Sequence, residues 1–273
     1  MPDKELRLRV ITAVGIGAVI IGATLGGVLT SYVLLIIIIT GSSIEFFRMQ
    51  KPLHGNQNIN VPVFLSTAPV VTGIIAAILD KNGLDLTWSE WIVASCIIAF
   101  GLYFFTQMRT EVVRLERRLF MFSTSLILFT LPGFFAVYIC DISPILLLGI
   151  FILIWSSDIF AYFGGRAFGK HKLLPSVSPK KTWEGFFCGL IAAALAAWGL
   201  SYLFTETTTG RWIVTALLVV IFGTSGDLLE SVFKRSAGVK DSGALLPGHG
   251  GLWDRFDSFL GCLPWVGVYY LLM

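Results

Sequence analysis

The chain has 273 residues, of which 55% are hydrophobic and only 14% charged, with a formal net charge of +3 and a mean hydropathy of +0.81. Only repeated membrane spans accommodate so much apolar sequence, so a water-soluble globular chain is excluded. No nucleic-acid partner is expected.

Apolar runs of about 20 residues, the length that crosses a bilayer core, recur from end to end. In chain order the predicted spans are Arg9–Gly26, Val28–Phe47, Val61–Leu79, Trp91–Gln107, Leu119–Ile139, Pro144–Phe163, Trp183–Phe204, Trp212–Leu229 and Phe259–Met273. The expected architecture is all-α, a polytopic integral membrane protein with about nine transmembrane helices. Residues 1–273 form one domain. Residues 1–150 supply packing helices and walls for a lipid site, and 151–273 carry the catalytic helices and loops. The basic start and first apolar run imitate a secretory signal, but no convincing small-residue cleavage site follows, so an uncleaved first helix is expected. Gly22-xxx-Gly26 and Gly185-xxx-Gly189 read as places where helices pack closely. Cys96, Cys140, Cys188 and Cys262 are isolated, with no CxxC spacing, and read as small packing residues.

With nine spans, the N-terminus and alternate loops share one side of the membrane. That side collects all of the chain's 20 lysines and arginines except Lys81 and Arg211. Cytoplasmic loops carry such an excess, so the N-terminus and the crowded loops are expected in the cytoplasm. Arg114–Arg118 reads as a positive-inside anchor, Trp183 as an interfacial anchor, and His54 and His171 as exposed polar residues.

Two cytoplasmic loops concentrate the chemistry, and the hairpin of spans seven and eight brings both to one face. In the first, Asp158 to Gly185, the glycines Gly164, Gly165 and Gly169 with Arg166 and Lys170 resemble an anion nest. Ser178 and Pro179 suit a helix start, where Lys180 and Lys181 would be unfavourable unless an anion sat beside them. The second runs from Ser231 to Asp257 and sets Lys234, Arg235, Lys240 and Arg255 against Asp241, Asp254 and Asp257, with His249 between glycines. Cations suit phosphate oxygens, and carboxylates suit a hard divalent ion bridging those oxygens. Asp227 and Glu230, three apart on one helix face, precede this loop, and Asp158 sits near the end of span six. A carboxylate in a span costs about 2.5–3.5 kcal/mol on insertion scales, so each is expected to have a partner or ligand.

The spacing of Ser231, Lys234, Arg235, Lys240, Asp241, Gly243, Pro247, His249, Gly250, Gly251, Asp254, Arg255 and Asp257 resembles the signature of the phosphatidate cytidylyltransferases, the CDP-diacylglycerol synthases. Ser178–Gly185, Gly226-Asp227, the length and the many-span layout are also similar to that family. The resemblance implies that CTP and phosphatidate give CDP-diacylglycerol and pyrophosphate, with magnesium as cofactor and a second, monovalent cation left open. It implies Asp227 and Asp254, then Asp257 and Asp241, as metal ligands. Lys234, Arg235, Lys240, Asp241, His249 and Arg255 would form the catalytic group. Lys180, Lys181, Ser178, Arg166 and Ser231 would bind substrate. Membrane lipids surround the chain, a homodimer is compatible with it, and a bacterial cytoplasmic (inner) membrane is the expected location. A CTP-dependent polyisoprenol kinase and an ion-coupled transporter stand as the alternatives.

Overall fold

A computed structural model describes residues 2–54, 60–80, 120, 123–245 and 250–273. Its elements in chain order are α1 (Pro2–Leu25), α2 (Val28–His54), α3 (Asn60–Asp80), a π-helical turn (Leu126–Thr130) running into α4 (Leu131–Ile142), α5 (Pro144–Phe168), β1 (Lys172–Leu174), β2 (Ser178–Thr182), α6 (Trp183–Leu203), α7 (Thr209–Ser236) and α8 (Trp253–Leu271). Among the described residues, five helical segments are long and apolar enough to cross a membrane: Val28–Gln50, Ser123–Ile142, Pro144–Phe168, Trp183–Leu203 and Thr209–Ser236. The protein is therefore an all-α integral membrane protein, with one short β hairpin among the described residues. The expected span Trp91–Gln107 and the Arg114–Arg118 anchor lie outside the described residues.

Several helices outrun the apolar segments that announce them. α5 continues to Phe168, so Gly164, Gly165 and Arg166 are helical and form no loop nest. α7 continues past Leu229 to Ser236, and α8 begins at Trp253, ahead of Phe259. At 1.5 Å per residue, the 28 residues of α7 span roughly 42 Å, against about 30 Å for a hydrocarbon core. Ser178 and Pro179 do not start a helix; they open β2, and α6 starts at Trp183 with Thr182 as N-cap, its hydroxyl accepting from Gly185 N–H at 3.2 Å.

Small residues set the helix spacing. A Cβ on Gly185 would lie 2.6 Å from Ala161 O, and one on Gly189 would lie 2.8 Å from Ser157 O, so α5 and α6 touch backbone to backbone. That is the close packing expected of Gly185-xxx-Gly189. Gly22-xxx-Gly26 does not behave this way: Gly22 has open space around it among the described residues, and Gly26 meets only its own chain, at Gly22 O and Thr30. Cys140 and Cys262 are buried, and Cys188 packs against Gly164, as expected of small packing residues. Under the charged end of the bundle lies an aromatic cluster in which Phe46 meets Phe233 and Trp253 edge to face, with centroids 5.2 and 5.1 Å apart. It ties α2 to α7 and α8 directly beneath the loop that joins them.

Candidate active site

α7 and α8 cross at two glycines. A Cβ on Gly226 would sit 2.8 Å from Gly261 Cα and 2.7 Å from Asp257 O, so nothing larger fits between the helices there. This close approach places three acidic side chains together: Asp227 and Glu230, one turn apart on α7, and Asp257 on α8. One carboxylate oxygen from each lies within 4.8 Å of the other two. Glu230 is 1% exposed, and its Oε1 is buried with no hydrogen-bond partner among the described residues. An orphaned carboxylate oxygen beside two further carboxylates is a donor set that fits a hard divalent cation.

A lysine reaches this group from the other charged segment. β1 and β2 pair antiparallel, Lys172 opposite Thr182 and Leu174 opposite Ser178, and the hairpin is tied to α6 by the Trp183 N–H, which donates to His171 O at 2.9 Å. Glu184 accepts from the Lys170 backbone N–H at 3.0 Å and pairs with His171 Nδ1 at 2.7 Å, closing the same junction. The result aims Lys181 at Asp227, with Nζ to Oδ2 2.5 Å. Ser231 Oγ donates to Asp227 Oδ1 at 3.5 Å. The two charged segments, separated by a helical hairpin in sequence, thus meet at one carboxylate.

Asp254, expected among the metal ligands, is engaged elsewhere. Its Oδ1 accepts from Lys234 Nζ at 2.7 Å, and its Oδ2 accepts from the N–H groups of Ser242 and Gly251 at 2.9 and 2.7 Å. Burial raises the Asp254 pKa, but hydrogen bonds from Lys234, Gly251 and Ser242 outweigh it and hold the carboxyl at about 2. Lys234 also bridges to Glu230 at 2.6 Å, which links this knot to the carboxylate group. Gly250, with φ of 80°, packs against Asp254 in a backbone conformation that favours glycine.

Ser178 is half-buried in β2, whereas Lys180 in β2 and Arg166 in the last turn of α5 are exposed. Arg235 sits in the last turn of α7 and donates to Val239 O at 3.2 Å. That helix ends in a left-handed glycine turn, Gly238 N–H to Arg235 O and Val239 N–H to Lys234 O. Lys240, Asp241 and Arg255 are exposed, and His249 lies outside the described residues.

Two cavities flank the α7–α8 crossing. One, of about 470 Å³, is lined by Asp158, Asp227, Asp254, Arg255 and Asp257, with Ile16 and Ile20 of α1 as part of its wall. The other, of about 410 Å³, is lined by Leu131, Phe222, Leu229, Leu260 and Trp265 and ends at Glu230 and Asp257. Asp257 therefore faces a charged chamber on one side and an apolar one on the other. Glu230 was legible in sequence only as a carboxylate three residues from Asp227. Glu45, a buried carboxylate on α2 that accepts from Ser242 and Trp253, carried no sequence signal beyond being an acid in an apolar helix.

The profile of the cytidylyltransferase family matches residues 7–273. The phosphatidate cytidylyltransferase of Haemophilus influenzae is 46% identical over 133 residues, covering 47% of this chain and 46% of that protein. Those of Staphylococcus epidermidis and Staphylococcus aureus are each 47% identical over 120 residues, covering 43% of this chain and 46% of theirs. These similarities span about half the length of the relatives.

Proposed function

This chain belongs to the cytidylyltransferase family, and from that premise we propose that it is a phosphatidate cytidylyltransferase, converting CTP and phosphatidate to CDP-diacylglycerol and pyrophosphate. The observation that carries the proposal is the meeting of Lys181 with Asp227 beside Glu230 and Asp257, at the seam between a charged and an apolar cavity. The nucleotide occupies the charged side, and the lipid's acyl chains lie along the apolar side with the phosphate at the seam.

The lipid phosphate is already anionic near neutral pH, so its oxygen attacks the α-phosphorus of CTP without a general base. The bond from the α-phosphorus to the bridging oxygen breaks, and pyrophosphate leaves with that oxygen. The obstacle is an anion approaching an anion, which positioned cations lower. Lys180 and Lys181, with Ser178, Ser231 and Arg166 near them, receive the phosphates. Lys240, Asp241 and Arg255, with His249 of the signature, would act on the same phosphates, and Arg235 closes the end of α7. Asp227, Glu230 and Asp257 would hold magnesium, which would neutralise phosphate charge. Lys234 and Asp254 keep the loop against α7. Nine spans, with the N-terminus and this site on the cytoplasmic face of a bacterial inner membrane, complete the reading, supported by the one-sided placement of lysine and arginine.

The test uses purified full-length protein in detergent with phosphatidate, magnesium and CTP labelled in the cytosine ring. Label recovered in the lipid product together with pyrophosphate is the expected result. Release of labelled CDP with a newly phosphorylated lipid would instead mean γ-phosphoryl transfer and would overturn the assignment.

A further inference from the structure

Asp254 is not the sole carboxylate holding the segment between α7 and α8. Glu45, near the C-terminal end of α2 and 8% exposed, uses Oε2 to accept from the Ser242 hydroxyl at 3.0 Å and from the Trp253 backbone N–H at 2.9 Å. Ser242 is thus held twice, its N–H by Asp254 and its hydroxyl by Glu45. The far end of the segment is held in the same way, Gly251 N–H by Asp254 and Trp253 N–H by Glu45. Two carboxylates from different helices draw Ser242 and residues 251–253 together.

The fit around Glu45 is close. A Cβ on Gly243 would lie 2.7 Å from Glu45 Oε1, and one on Gly251 would collide with Glu45 Oε2 and Ser242 Oγ. Both positions need glycine because the carboxylate stands against their backbone. The adjacent Phe46 packs edge to face on Trp253 and fixes the height of α2 against α8. A buried acid in an apolar helix is expensive unless it is used. Here its use is to accept from a turn of chain about 200 residues away in sequence, flanked by the charged residues already described.

We propose that Glu45 is a positioning residue for cytidylyl transfer: with Asp254 it clasps Ser242 against Gly251 and Trp253, so that Lys240 and Asp241 on one side and Arg255 on the other are presented to the phosphates. Glu45 itself touches no substrate. The activity arm of this inference rests on the proposed phosphatidate cytidylyltransferase reading, whereas the clasp does not.

The experiment compares Glu45→Ala, Glu45→Gln and Ser242→Ala in full-length protein in detergent, by hydrogen–deuterium exchange over 242–253, by melting temperature, and by kcat and KM for CTP. Glu45→Ala is expected to speed exchange in that segment and lower kcat by ~10–100-fold, with KM for CTP changed less than ~3-fold, as for an interaction expressed in the transition state. Glu45→Gln keeps an acceptor oxygen for both donors and is expected to retain kcat within ~5-fold. If Glu45→Ala does not fold, Ser242→Ala carries the test, with faster exchange at 242–253 and a smaller loss of kcat. Unchanged exchange and unchanged kcat in Ser242→Ala and in Glu45→Ala would overturn the clasp. Equal loss of kcat in Glu45→Ala and Glu45→Gln, tracking a drop in melting temperature, would reduce Glu45 to a structural role and overturn its positioning role. Wild-type protein that protects 242–253 but transfers no cytidylyl would leave the clasp standing and overturn the functional reading instead.

Discussion

Four carboxylates, two on α7 and two on α8, differ in what surrounds them. Asp254 is saturated by an ammonium and two backbone N–H groups. Removing it in Asp254→Ala strands Lys234 and both N–H groups in a buried setting, which should cost about 3 kcal/mol of stability, read as a lowered melting temperature in the absence of substrate. Asp227 and Asp257 face each other and the orphaned Glu230 oxygen. Asp227→Asn and Asp257→Asn should therefore fold normally but lose about 10³-fold or more in magnesium-dependent pyrophosphate release, since charge neutralisation at the phosphates is the chemical obstacle. Normal rates from both variants at low magnesium would remove the carboxylate group from the reaction. Lys181→Met takes away the cation at Asp227 and should lower kcat/KM for CTP by about 100-fold.

Helix contacts decide whether those side chains meet at all. α7 and α8 approach until Gly226 and Gly261 are in backbone contact, and the acidic residues sit within one turn of that point. Gly261→Leu should force the helices apart, lowering thermal stability by about 1–3 kcal/mol and activity with it. Retained activity in that variant would show that the crossing does not set the site. On α8 the apolar cavity is bounded by Leu260 and Trp265. Leu260→Trp fills it and should raise KM for long-chain phosphatidate while leaving KM for CTP unchanged, checked with lipids of two acyl lengths. The helical hairpin between the two charged segments was legible from spacing alone, because two spans return the chain to the side it left. The β hairpin that aims Lys181 was not legible: Ser178 and Pro179 read as a helix start, and only pairing with Lys172–Leu174 makes them a strand.

The distribution of charge over the whole chain also makes a prediction. Single cysteines introduced at Lys180 and at Glu206, in a background with the native cysteines replaced, should label from opposite sides of the membrane, Lys180→Cys from the cytoplasm. Labelling of both from one side would overturn the proposed orientation. Hydropathy and the spacing of charged residues were enough to determine that the protein lies in the membrane and which residues carry the resemblance to the cytidylyltransferase family. Those properties are local: twenty apolar residues or a run of motif positions can be read without knowing what they touch. Only the tertiary structure decided that Glu230 stands beside Asp227 and Asp257, that Asp254 accepts from Ser242 and Gly251, and that Glu45 of α2 accepts from Ser242 and Trp253. The physical reason is that a carboxylate's role depends on which donors surround it. In this molecule those donors come from helices that neighbour one another in space and lie up to 208 residues apart along the chain.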